Sequence, residues 1–118
     1  MIDHISLTVA DVAVSKKFYD AALAPLGFAE VAANENFVMY QHADGSVFGV
    51  SQGIAAPIHF AFGASTHDAV KQFYDAAMAA GGTDNGEPGI REKYAPTYYA
   101  AFVIDPDGYR IEAVCHAK

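Results

Sequence analysis

Two histidines and one glutamate carry the clearest chemical signal in this sequence. His4 and His59 stand 55 residues apart, each at the start of a segment in which apolar and polar residues alternate. Glu112 is the one carboxylate in the run Tyr109 to Cys115, which is apolar apart from it and Arg110. Burying such a group without a partner costs on the order of several kcal/mol, so it calls for one. Two imidazoles and a carboxylate form the 2-His-1-carboxylate donor set, which suits a divalent ion such as Zn, Ni, Fe, Mn or Co. The plainer readings are a structural role for each histidine, and an ion pair between Glu112 and Arg110 or a neighbouring strand. Equivalent positions in a duplicated unit favour the metal, with His4, His59 and Glu112 as its ligands.

Other residues qualify as helpers. Tyr98 and Tyr99 are adjacent, so on a strand one of them shares the side of Glu112, where a phenol can orient or protonate a substrate. Arg91, Lys93 and Arg110 are candidates for greeting an anionic substrate. His116 has the parity of Glu112, whereas His67 reads as solvated and His42 has no evident partner. Cys115 shares the parity of Ile111 and reads as a small buried hydrophobe. No Ser-His-Asp grouping, phosphate-cradling glycine loop or cysteine-rich zinc motif is present.

The elements that must position these groups come in two copies. Lys16 to Ala24 and Lys71 to Ala79 agree at seven of nine positions, at the same offset of 55 that relates His4 to His59. A strand and the helix after it, matching at one offset, indicate a duplicated unit. The first copy, about 1–53, reads as a strand over 2–9 and a helix capped by Asp11 with Val14, Phe18 and Ala22 inward. Leu26-Gly27 closes that helix, and strands follow near 28–33, 37–42 and 46–52. The second copy, about 57–118, reads as a strand over 57–63 and a helix capped by Ser65 or Thr66, with Val70, Phe73 and Ala77 inward. Gly81-Gly82 stops it, and strands follow near 83–87, 98–104 and 109–115. The turn Asp107-Gly108 matches Asp44-Gly45 at offset 63, so about eight extra residues fit in the stretch 88–96, a candidate rim or lid. The expected class is α+β: two βαβββ modules in one domain, 1–118, whose sheets form a cup. Parity then places His4, His59 and Glu112 on the cup side.

With 118 residues, 53% of them hydrophobic and 18% charged, the composition is that of a folded domain. A net charge of −7 argues against nucleic-acid or anionic-membrane binding, and no apolar run suits a membrane helix. A single cysteine excludes an intramolecular disulfide. The opening residues carry no basic or apolar leader pattern, and a cytoplasmic setting is expected.

The stretches Asp3 to Val9, Lys16 to Leu23 with Pro25-Leu26-Gly27-Phe28, and Phe102 to Glu112 resemble the vicinal oxygen chelate superfamily. That superfamily includes glyoxalase I, extradiol dioxygenases, fosfomycin-resistance thiol transferases and bleomycin-resistance proteins. The resemblance implies paired βαβββ modules, a homodimer, and a metal that a small-molecule substrate chelates through two neighbouring oxygens. The chain departs from bacterial glyoxalase I at Gly49, which stands opposite Glu112 and leaves three ligands where four are usual. The expected activity is that of a metal-dependent glyoxalase-like enzyme of lyase or isomerase type. The alternatives are dioxygenation or thiol transfer at the same site, or non-catalytic ligand binding of the bleomycin-resistance kind. The modules of one cup belong either to one chain or, exchanged across a dimer, to two.

Overall fold

The repeat in the sequence is also a repeat in space. The computed structural model describes residues 2–118. Its first unit contains β1 (His4–Val9), α1 (Val12–Leu23), β2 (Phe28–Asn34), β3 (Phe37–His42) and β4 (Val47–Gln52). Its second contains β5 (His59–Gly63), α2 (His67–Ala79), β6 (Thr83–Ile90), β7 (Tyr99–Ile104) and β8 (Arg110–Cys115). Each unit forms its own mixed sheet, ordered β1-β4-β3-β2 and β5-β8-β7-β6, with only the first pair of each parallel. The fold is α+β with two βαβββ modules. β1 and β5 are edge strands.

Local chemistry explains the elements. Asp11 Oδ1 accepts from the amides of Ala13 and Val14 and starts α1; Thr66 Oγ1 accepts from Ala69 and starts α2. Gly27 (φ 91°), after a short 3₁₀ turn, reverses the chain where a side chain would be strained. The inward stripe of α1 differs from the expectation: Val14 is exposed, and Val12, Ser15, Phe18, Tyr19, Ala22 and Leu23 are buried. The reason is polar. Ser15 and Tyr19 reach across to the second module, Ser15 Oγ donating to Asp107 Oδ2 (3.2 Å) and Tyr19 Oη to Asp105 Oδ2 (2.5 Å). β6 also runs three residues beyond the expected 87, so part of the extra length continues the strand and the turn proper covers 91–98.

Both sheets turn their apolar faces to one shared core around the helices. Phe48 of β4 sits at the junction, its ring 4.8 Å from Tyr19, 5.8 Å from Phe60 and 5.3 Å from Phe62. The β7–β8 turn clasps the start of α1: Asp107 Oδ1 accepts from the Ala10 amide, and Tyr109 Oη donates to the Thr8 carbonyl. Asp105, itself buried, accepts from the amides of Asp107 and Tyr109. Burial pushes its carboxyl above the usual range despite these bonds.

Burial also raises the phenols of Tyr19 and Tyr40, helped by the carboxylates of Asp105 and Asp20 that they bond. Their folded pKa values lie above the unfolded value of about 10. The stability they contribute is therefore complete below about pH 10 and lost as pH rises through the folded values. The denaturant midpoint is expected to hold between pH 8 and 9.5 and to fall steeply above pH 10. A flat alkaline limb would contradict this.

Candidate functional site

Strand register brings Glu112 and His59 together. β5 and β8 run parallel with His59 beside Arg110 and Ala61 beside Glu112, so the two side chains are diagonal neighbours on one face. His59 Nε2 lies 3.0 Å from Glu112 Oε1. Tyr98, at the end of the turn before β7, donates its hydroxyl to Glu112 Oε2. The Glu112 side chain is only 3% exposed, against 46% for His59. A buried carboxylate thus has one partner on each oxygen and makes no ion pair with Arg110. Burial, and then the bond to Glu112, push the Tyr98 phenol up to about 12, so it stays protonated throughout the neutral range.

Aromatic rings flank the pair. Phe102, the cross-strand neighbour of Glu112, stacks on the His59 ring at 6.2 Å. Tyr94 packs against Tyr98 at 5.0 Å, and His116 meets Tyr98 edge-on at 5.3 Å. The structure divides the adjacent tyrosines: Tyr98 reaches Glu112, while Tyr99 is buried and stacks on His67 at 4.0 Å. His67, expected to be solvated, also bonds the Ala117 carbonyl and ties down the C-terminal residues. Cys115 is buried in the core, as its parity implies.

Replacing Tyr98 by Phe leaves Glu112 Oε2 without its donor. The expected cost is about 1–3 kcal/mol of folding stability at pH 7, read as a lower denaturant midpoint. An unchanged midpoint would mean that another donor already satisfies this oxygen.

His4 does not join this cluster within one chain. It sits at the start of β1 in the other sheet, its side chain 66% exposed and its Nδ1 2.9 Å from Asp3. Because both sheets turn their apolar faces to the same core, His4 stays on the free face of the first sheet. Among the described residues no group of three His, Cys, Asp or Glu is placed to hold an ion. The equivalent of Glu112 in the first module is Gly49: the registers pair Ser6 with Gly49 and Ala61 with Glu112. A Cβ at Gly49 would meet Met39 Cγ at 3.5 Å, so an apolar side chain stands near the place of a fourth donor.

The donors that do converge suit a metal. Two ligands about 2.1 Å from one ion, at angles of roughly 90 to 110°, stand about 3.0–3.4 Å apart. The His59–Glu112 separation of 3.0 Å falls in that range. Within one chain the described residues bring two such donors together, not three.

A separate cleft of about 230 Å³ opens between the β1–β4 ends and the free edge of β5. Phe28, Phe48, Phe60 and Phe62 contribute its aromatic wall, and His4 and His42 are at its polar end. His42 has no evident partner in the sequence; its Nδ1 accepts from the Asp44 amide at 3.1 Å, and the packing of the two sheets brings it to this cleft.

A family model described as the Glyoxalase/Bleomycin resistance protein/Dioxygenase superfamily matches residues 1–113. Among solved structures, the chain is similar to a glyoxalase/bleomycin resistance protein from Albidiferax ferrireducens, with 34% identity, 98% of each chain covered and a TM-score of 0.88. A glyoxalase-related enzyme from Fulvimarina pelagi is 22% identical over 98% of this chain and 87% of its own, with a TM-score of 0.75. A glyoxalase/bleomycin resistance protein/dioxygenase family enzyme from Burkholderia phytofirmans is 17% identical over 98% of both chains, with a TM-score of 0.76. No curated protein matches the chain. No helix among the described residues is long and apolar enough to cross a membrane. With nearly the whole sequence matched by the family model and a relative one-third identical from end to end, the chain belongs to the glyoxalase/bleomycin resistance protein/dioxygenase superfamily.

Proposed function

We propose that the protein is a metal-dependent glyoxalase-like enzyme of lyase or isomerase type, centred on Glu112. The observation that carries this reading is a buried carboxylate with an imidazole on one oxygen and a phenol on the other. His59 and Glu112 would hold a divalent ion (Zn, Ni, Fe, Mn or Co), with His4 of the partner subunit as third ligand in a homodimer of exchanged modules. Bound there, the ion would supply Lewis acidity toward a small substrate that chelates it through neighbouring oxygens. The exposed edge of β1, with His4 at its first residue and free of the second sheet, supports the exchange.

The chain's own residues perform the remaining work. Tyr98 keeps its proton at neutral pH and fixes the Glu112 carboxylate from the side away from His59, which orients that carboxylate. The same phenol is a proton donor within reach of an oxygen placed beside Glu112. Phe102 stacks on the His59 ring and Tyr94 packs on Tyr98, so an aromatic ring supports each partner of Glu112.

A second reading, a protein that binds a small molecule without transforming it, is favoured by the aromatic-walled cleft, which contains His4 and not His59 or Glu112. Elemental analysis of untagged protein, purified without chelator, separates the two. One divalent ion per chain is expected, accompanying the dimer and released on dilution below the dimer affinity. Metal-free protein that is fully folded and still takes up an aromatic ligand supports the second reading. Metal retained by the monomer overturns the exchange.

A further inference from the structure

A second cavity, of about 250 Å³, lies at the turn after β6 and is lined by Asn85, Gly86, Arg91, Lys93, Tyr94 and Phe102. The chain has seven Lys and Arg against fourteen Asp and Glu, and two of the seven meet here. Neither Arg91 nor Lys93 forms an ion pair among the described residues; the ion pairs involve Lys16, His4, His42 and His59 instead.

The position of Arg91 is built. Its guanidinium lies 5.2 Å from the centre of the Phe102 ring, and Nη2 donates to the Glu87 carbonyl at 2.7 Å. Two glycines make room for it. A Cβ at Gly86 would stand 2.9 Å from Phe102 Cδ2 and 3.2 Å from Arg91 Nη2, and one at Gly89 would stand 3.1 Å from Nη1. Gly86 also holds a positive φ of 147°, where a side chain is strained. A guanidinium has five N–H donors in a planar fork, and the Glu87 carbonyl uses one nitrogen of it. Lys93 Nζ lies 5.1 Å from the Tyr94 ring.

Both cations connect through aromatic rings to Glu112. Arg91 lies over Phe102, which stacks on His59, and His59 bonds Glu112. Lys93 lies by Tyr94, which packs on Tyr98, and Tyr98 bonds the other oxygen of Glu112. We propose that this cavity is an oxyanion subsite that anchors a carboxylate or phosphate group of a small aromatic or otherwise flat substrate. Arg91 supplies the fork, Lys93 a second positive charge, and Phe102 and Tyr94 the apolar walls. Its role as part of a substrate site rests on the reading of Glu112, His59 and Tyr98 as the reaction centre. The subsite itself does not need a metal.

The test is an NMR titration of the purified full chain with benzoate, phenyl phosphate and the uncharged benzamide at about 20 mM salt. Saturable shifts at Gly86, Arg91 and Phe102 are expected with at least one of the anions, at least tenfold stronger than with benzamide. Binding should weaken severalfold at 200 mM salt, since the contact is charge-dependent. A response to benzoate alone identifies the carboxylate, and to phenyl phosphate alone the phosphate. Arg91→Gln should weaken binding at least tenfold and Lys93→Gln about threefold. Lys93 is exposed, so its variant keeps the test open if Arg91→Gln does not fold. Lys71→Gln, at an exposed lysine outside the cavity, should bind the anion as well as the parent chain does. Anion binding that falls equally with Lys71→Gln, or that ignores Arg91 and Lys93, would overturn the subsite, as would equal binding of benzamide. Anion binding kept in a protein that never holds metal retains the subsite and removes the metal reading.

Discussion

Glu112→Gln is expected to lower divalent-metal affinity at least a hundredfold while leaving the protein folded. Even residues that only support a metal's ligands are typically worth 10- to 100-fold in affinity, so loss of a charged ligand should meet or exceed that. The amide has nearly the volume of the carboxylate and can still accept from Tyr98 through its carbonyl, so the buried space is neither emptied nor left unbonded. Competition titration against a chromogenic chelator measures the affinity, and a thermal melt in the presence of EDTA reports folding separately. Unchanged metal affinity in a folded Glu112→Gln protein would remove Glu112 from the ligand set. Loss of folding in EDTA would instead make Glu112 a structural residue.

Phe48→Ala is expected to be the most damaging single core substitution. The ring is buried and contacts Tyr19, Tyr40, Phe60 and Phe62, drawn from α1, β3 and the edge strand of the second sheet. Truncating a buried Phe costs about 3–5 kcal/mol. For a chain of this size that corresponds to a fall in Tm of about 10–20 °C. Because Phe48 touches both modules, coupled loss of the two is expected, with amide exchange accelerating in β8 as well as in β4. Faster exchange confined to β1–β4 would show that the modules fold independently and that the shared core contributes little.

The duplication and the facing of the strands were legible because both are local. An offset of 55 aligned a strand and a helix at once, and period-two alternation put Phe60 and Phe62 inward and His59 with Glu112 outward. Helix caps at Asp11 and at Ser65 or Thr66 follow from side-chain chemistry within three residues, and the structure uses Asp11 and Thr66. What could not be read were the effects of distant chain segments. Val14 yields its inward place to Ser15 and Tyr19 because acceptors 92 and 86 residues away wait for their hydroxyls. Gly82 reads as a helix stop, yet a Cβ there would strike Val103 Cγ1 at 2.6 Å and Phe18 Cε1 at 2.9 Å, so close packing of α1, α2 and β7 requires it. The placement of His4 was beyond the reach of parity for a similar reason. Alternation fixes which face of a sheet a residue occupies and says nothing of how one sheet sits against another. The pair His59–Glu112 shares one ladder and could be foreseen; where His4 lies relative to it depends on the arrangement of modules.

The most direct measurement is the metal content of a mixed dimer. His4→Ala and Glu112→Ala chains, carrying different tags, are co-expressed, and the species bearing both tags is purified. In an exchanged dimer one of its two sites has His4, His59 and Glu112 all intact, and the other lacks both replaced ligands. One divalent ion per mixed dimer and none in either parent protein is the predicted result. A mixed dimer as empty as its parents, or a His4→Ala protein that keeps one ion per chain, would contradict a site shared between two chains.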